Sequence, residues 1–265
     1  MILEFSKFQG TGNDFIVIDN RSHHIHKHLD NKELIEFLCN RRFGIGADGL
    51  ILLHNKAGYD FEMLYYNSDG LPGTMCGNGG RCIVAFAHML QVIRHSAHFF
   101  ANDKAYKASI KGKKNEAFIV ALQMQDVTSY EKGQNFLIVD TGSPHYVSFT
   151  ENLTQINVDE TGRRMRNEAA FKNNSVNVNF AEIIDNNIFL RTYERGVEAE
   201  TLSCGTGAVA TAIASHVLGK LNAKKYTLKT PGGELVVSFD IHNNAFTNIQ
   251  LEGPATFVYN GKINV

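Results

Sequence analysis

Met75-Cys76-Gly77-Asn78-Gly79-Gly80-Arg81-Cys82 and Ser203-Cys204-Gly205-Thr206-Gly207-Ala208 are two versions of one pattern, a Cys-Gly-x-Gly turn leading into a helix, set 128 residues apart. The same offset carries Phe61 onto Phe189, Tyr65 onto Tyr193, His88 onto His216 and Leu90 onto Leu218. Self-similarity at about half the chain length points to two halves built alike. After each turn comes a run that is apolar or small almost all the way round, Arg81 to Gln91 and Ala208 to Leu218. A helix of that kind is buried on every side in a water-soluble fold, and Gly219 reads as the C′ glycine of the second. Short strand patterns surround both: Ile2 to Phe8, Phe15 to Asp19, Leu50 to His54, Phe61 to Tyr66, Phe118 to Leu122, Phe136 to Asp140, Tyr146 to Phe149, Ile188 to Tyr193, Glu234 to Phe239 and Ile249 to Leu251. The expected class is α/β (α+β), with two pseudo-symmetric domains, each a curved, mostly antiparallel sheet or barrel around one central helix. Asn31 to Arg41 and Asp159 to Asn167 read as outer amphipathic helices. The halves divide near Asn115 and Glu116, giving 1–115 and 116–255, with the tail 256–265 a candidate to pack back on the first half.

Composition bounds the chemistry. Of 265 residues, 43% are hydrophobic and 20% charged, which suits packed cores and excludes a disordered chain. Net charge is -1, so no overall basic field exists to hold nucleic acid or an anionic membrane. The N-terminus alternates like a strand, no apolar run reaches the ~20 residues of a membrane span, and a cytoplasmic location is expected. Cys39, Cys76, Cys82 and Cys204 are too few and scattered for a disulfide framework and are expected as thiols. A cysteine at the N-terminus of a buried helix has the helix's unpaired amides and positive dipole end beside it, which favours the thiolate and offers an anion site at Gly77 and Asn78, or at Gly205 and Thr206. One such cysteine is adequately explained as a small buried residue. Two in repeat-related positions suit a reaction that removes a proton from one face of a carbon and returns one to the other.

The two Cys-Gly segments, together with Gly10-Thr11-Gly12-Asn13-Asp14-Phe15 and Tyr193-Glu194-Arg195-Gly196, resemble the signature segments of the diaminopimelate epimerase family, in order along essentially the whole chain. The resemblance implies a pyridoxal-independent, metal-free isomerase without a cofactor. Its substrate would be a small amino acid, LL- or meso-2,6-diaminopimelate, and a homodimer is admissible. It further implies Cys76 and Cys204 as the catalytic pair and Asn13, Asn67, Asn177, Glu194 and Arg195 as substrate-holding residues. Gly77, Asn78, Gly205 and Thr206 would be the carboxylate-binding backbone. An Arg for an anionic end, a Glu for a cationic end and amides that donate and accept suit a doubly zwitterionic substrate. The chain departs from the family at Gly49, where many members have Gln, and at Ser143, where many have Asn, and both changes bear on how the distal end of the substrate is held. Two other readings stand beside this one: a proline or hydroxyproline racemase, which typically carries His where this chain has Asn78, and a thiol redox or ligand-binding protein without proton transfer.

Other motifs carry less. Gly44-Ile45-Gly46-Ala47-Asp48-Gly49 fits a dinucleotide pattern, but in the reverse order of helix and strand. His23, His24, His26 and His28 lack a Cys or carboxylate frame and read as a polar connection. Cys82 and Cys39 are expected in the core, and His145 either orients a substrate group or ends a turn.

Overall fold

The computed structural model describes residues 2–22, 31–167 and 176–265, which form two compact units, Met1–Leu122 with Gly253–Val265, and Gln123–Glu252. The four histidines from His23 to His28 lie outside the described residues. Asn115, at the expected boundary, has a positive φ of 53° between two strands inside the first unit. The tail joins that unit too, as part of the long last strand.

In the first unit the strands are β1 (Ile2–Gly10), β2 (Asn13–Asp19), β3 (Gly49–His54), β4 (Phe61–Asn67), β5 (Ser96–Ala101), β6 (Lys104–Lys114) and β7 (Ala117–Gln123). The latter part of β16 (Ala245–Asn264) pairs with both β7 and β1 and closes an eight-stranded barrel. Two neighbouring pairs, β2 with β3 and β4 with β5, are parallel and the rest antiparallel. A parallel pair needs a crossover, and helices supply both: α1 (Lys32–Cys39) between β2 and β3, and α2 (Gly77–Met89) between β4 and β5. Helix α1 covers the outer face, with Ile35, Leu38 and Cys39 on Leu3, Ile16, Ile18, Leu50 and Leu52. Helix α2 packs on β1, β2, β3, β4 and β6 and is buried from Gly77 to Ala87. With apolar cover on both faces, β3 is buried at every residue, which is why Leu50-Ile51-Leu52-Leu53 shows no alternation.

The second unit repeats this order of senses. Its strands are β8 (Tyr130–Lys132), β9 (Phe136–Asp140), β10 (Pro144–Phe149), β11 (Asn177–Ile184), β12 (Asn187–Glu194), β13 (Ala199–Thr201), β14 (Tyr226–Thr230), β15 (Gly233–His242) and the first part of β16. The parallel pairs are β10 with β11 and β12 with β14, crossed by α3 (Val158–Arg166) and α4 (Gly205–Val217). Helix α4 lies in a core built from Leu137, Val147, Leu190, Leu228, Val237 and Leu251. Helix α3 is amphipathic and seats Gly162 on Tyr193, where a Cβ would come within 2.4 Å of the ring side chain.

The helix starts differ in a telling way. Asn31 and Asn157 cap α1 and α3 with their side chains, whereas α2 and α4 begin at Cys76 and Cys204 with no side-chain cap bond from either cysteine. Gly219, with φ 67°, ends α4 as the expected C′ glycine.

Candidate active site

In the first unit, the loop after β4 delivers Cys76 to the start of α2 in an extended conformation, φ -97° and ψ 123°. Its carbonyl takes the Gly80 N–H at 2.8 Å, the first turn of the helix. Gly79 lets the turn sit close to the barrel wall: a Cβ would stand 3.1 Å from Ile51 Cδ1 and 3.3 Å from Met63 Cε, so those two side-chain ends would have to give by a few tenths of an ångström. Cys76 is half-buried and its Sγ lies 3.6 Å from Asn13 Oδ1. Asn78 Nδ2 donates to the same oxygen at 3.3 Å. Asn13 Nδ2 in turn donates to Asp48 Oδ2 at 2.7 Å. Three expected site residues, Asn13, Cys76 and Asn78, therefore form one bonded group with Gly77 between them in sequence. Asn67 is not part of that chain of bonds; it closes β4 opposite Gly49, and its N–H donates to Leu71 O at 2.9 Å to open the loop that leads to Cys76.

Behind Asn13 stands a charged group. Asp14 pairs with Arg41 at 2.6 Å and with Lys7 at 2.7 Å, and Arg41 also reaches Asp48. Burial works to raise the Asp14 carboxyl, but the bonds and charges of Arg41 and Lys7 outweigh it and hold it at about 2. Cys82 and Cys39 are buried, and desolvation pushes each thiol up to about 12, consistent with core roles.

In the second unit Cys204 opens α4 in the same way, φ -122° and ψ 115°, with its carbonyl taking the Ala208 N–H at 2.9 Å. Its Sγ lies 3.4 Å from Thr206 Oγ1. The turn Thr141 to His145 is pinned to the same helix start from both ends: Thr141 Oγ1 donates to Thr206 O at 2.8 Å, and His145 Nε2 sits 2.9 Å from Thr206 Oγ1. The imidazole tautomer follows from its neighbours. Asn179 Nδ2 must donate, since it also reaches Tyr146 O at 3.1 Å while Oδ1 takes the Thr192 hydroxyl at 3.0 Å. His145 Nδ1, 2.9 Å away, is therefore the acceptor and Nε2 carries the proton, which it donates to Thr206 Oγ1. The Thr206 hydroxyl hydrogen is left to turn toward Cys204. Burial, then the charge of Arg195, drives His145 down from 6.5 to about 3, so the ring is neutral at pH 7.

Asn177 works as a strut. Its Nδ2 donates to Ser143 Oγ at 2.8 Å and Pro144 O at 3.2 Å, and its Oδ1 takes the Arg195 N–H at 2.8 Å. It thus ties the 141–145 turn to the end of β12, where Glu194 is the last strand residue and Gly196, with φ 88°, turns the chain. Arg81, Asp48, Thr141 and Asn179 join these groups without standing out in the sequence as site residues, and His145 supports the helix start rather than merely ending a turn. Two signals were present: Asn179 shares a strand face with Asn177, and Arg81 is the one Lys, Arg, Asp or Glu in its helix. Among the described residues, no three His, Cys, Asp or Glu side chains gather as a metal-holding group, and no helix is long and apolar enough to cross a membrane.

Comparison with known proteins gives a consistent result. A family model described as diaminopimelate epimerase matches residues 5–127 and 137–258. The chain is 50% identical to the diaminopimelate epimerase of Flavobacterium psychrophilum, covering 97% of this chain and 98% of that protein. It is 44% identical to the enzyme of that name from Chlorobaculum tepidum, covering 97% and 99%. Among solved structures it is similar in fold to a phenazine biosynthesis protein of the PhzF family from Bacillus anthracis, with a TM-score of 0.78 at 11% identity over the whole of both chains. A hydroxyproline epimerase from Agrobacterium vitis, solved with bound trans-4-hydroxy-L-proline, matches with a TM-score of 0.71 at 13% identity, covering 99% of this chain and 92% of that one.

Proposed function

The chain belongs to the diaminopimelate epimerase family, and we propose that it interconverts LL- and meso-2,6-diaminopimelate by proton transfer at the α-carbon, a step that serves lysine and peptidoglycan precursor synthesis. The observation that carries the mechanism is the pair of central helices that begin at Cys76 and Cys204 without a side-chain cap from either, in repeat-related places of two like units. In the forward direction one cysteine, as thiolate, takes the α-proton: the C–H bond breaks and an S–H bond forms. The other cysteine, as thiol, delivers its proton to the opposite face, restoring a C–H bond with inverted configuration. Reversal exchanges the two roles. Charge that develops on the substrate carboxylate is stabilised by the helix-start amides at Gly77 and Asn78 and at Gly205 and Thr206. Asn13, Asn67, Asn177, Glu194 and Arg195 hold the remaining polar groups, Arg195 toward a carboxylate and Glu194 toward an ammonium.

Local bonding supports distinct surroundings for the two thiols. Cys76 faces a carbonyl oxygen of Asn13, and Cys204 faces a hydroxyl that already accepts one bond from His145. The same reading places the enzyme in the cytoplasm, without cofactor or metal, and admits a homodimer. The test is incubation of each diaminopimelate isomer, and of proline in parallel, in heavy water. Deuterium at the α-carbon with change of configuration is expected for diaminopimelate. Absence of α-exchange overturns the proposal, and exchange with proline alone moves the substrate to the racemase class.

A further inference from the structure

Arg81 is fully buried on α2, five residues after Cys76, and among the described residues it has no carboxylate partner. Its guanidinium donates to four neutral oxygens: Asn78 Oδ1 at 2.8 Å, Thr11 Oγ1 and Gly77 O at 3.2 Å each, and Pro254 O at 3.3 Å. Burying a cation without a counter-charge is expensive, and a methionine would fill similar space without that cost. Packing therefore does not explain the residue.

Hydrogen-bond polarity does. A guanidinium only donates, so Asn78 must turn Oδ1 toward Arg81 and Nδ2 away from it. That Nδ2 then meets Asn13 Oδ1 at 3.3 Å. At the far end a carboxylate only accepts, so Asn13 must turn Nδ2 toward Asp48, at 2.7 Å, and Oδ1 toward Asn78 and Cys76. A donor-only group and an acceptor-only group thus clamp two amides in one sense, and neither amide can flip without setting like against like. We propose that Arg81 and Asp48 are positioning residues for Cys76, acting through Asn78 and Asn13 to turn the side-chain oxygen of Asn13, rather than its NH2 group, toward the sulfur. The inference rests on the proposed role of Cys76 in proton transfer and extends it to residues that touch no substrate.

The test separates the two sides of the reaction. The α-proton exchange of each isomer in heavy water is first assigned to Cys76 or Cys204 with the Cys76→Ala and Cys204→Ala variants. Arg81→Met should then slow the Cys76-side exchange at saturating substrate on the order of 100-fold, the scale of a misplaced reacting group, and the Cys204-side exchange at least about tenfold less, because Asn13 and Asn78 also serve the substrate in both directions. Arg81→Lys, still a pure donor, should recover most of the loss. If Arg81→Met fails to fold, Asp48→Ala serves from the partly exposed other end of the clamp and should show the same unequal loss. Equal losses on both sides, or no loss in a folded variant, overturn this inference alone. No exchange by the parent protein overturns the functional reading and this inference with it.

Discussion

At the scale of single residues, the two cysteines share a backbone setting and differ in what touches the sulfur. Replacing either by Ala should cut net epimerisation at least ~100-fold, the lower range for loss of a general acid or base. Each variant should still exchange the α-proton of one isomer without inverting it, and the two should differ in which isomer they exchange. NMR in heavy water reads this directly, and near-parent inversion by either variant would mean that another group moves the proton. His145 yields a prediction about stability. The unfolded chain binds a proton there near pH 6.5, whereas the buried ring resists until about pH 3. Between those values the unfolded state holds more protons, so stability present above pH 6.5 is lost as pH falls, with a slope of up to ~1.4 kcal/mol per pH unit. Asp14 adds a loss of the same sign between its ordinary 3.8 and about 2. Urea melts at pH 7, 5 and 4 should show the decline, and His145→Gln should flatten it above pH 4. An unchanged slope in that variant would mean that the ring is not held neutral.

At the scale of elements, glycines decide how closely the central helices and strands approach. The side-chain amide absent at Gly49 cannot simply be put back. A Cβ there would lie 2.5 Å from the Tyr65 ring and 2.6 Å from Tyr66 O, and the second of these is backbone. Gly49→Gln should therefore destabilise the first unit by ~1–3 kcal/mol, the usual cost of overpacking, rather than tighten substrate binding. Thermal melts alongside KM measurements check both halves of that statement; a stable variant with lower KM would contradict it. Gly207, which the 128-residue repeat matches to Gly79, lies on α4, where a Cβ would stand 2.5 Å from Asn179 Oδ1 and 3.3 Å from His145 Cε1. Gly207→Ala should shift Asn179 and release the tautomer of His145, lowering kcat more than it lowers stability. Equal kcat in a folded variant would show that the imidazole support does not reach Cys204.

At the scale of the whole molecule, the first barrel closes only through the chain's last segment. From Gly253 onward β16 lies between β7 and β1, with Pro254 opposite Ile119 and Phe257 opposite Phe8. A chain ending at Glu252 should lose the cooperative fold of the first unit, seen as loss of amide protection in β1 and β7. Retained protection would show that the seven remaining strands suffice. What the sequence determined by itself is the part written in local pattern. The doubled Cys-Gly-x-Gly starts, the all-round apolar helices and ten of the strands announce themselves because periodicity and turn chemistry depend on residues close in the chain. Strand β6 was hidden because its lysines face solvent and leave too little apolar alternation, and β11 because its alternate asparagines find their partners only in other strands and turns. The polarity of the Cys76 surroundings was equally invisible. It depends on Asp48 and Arg81, 33 residues apart in the sequence (48 to 81), meeting through two amides. Hydrogen-bond direction is set by which groups can only donate or only accept, and only the tertiary structure brings those groups within reach of one another.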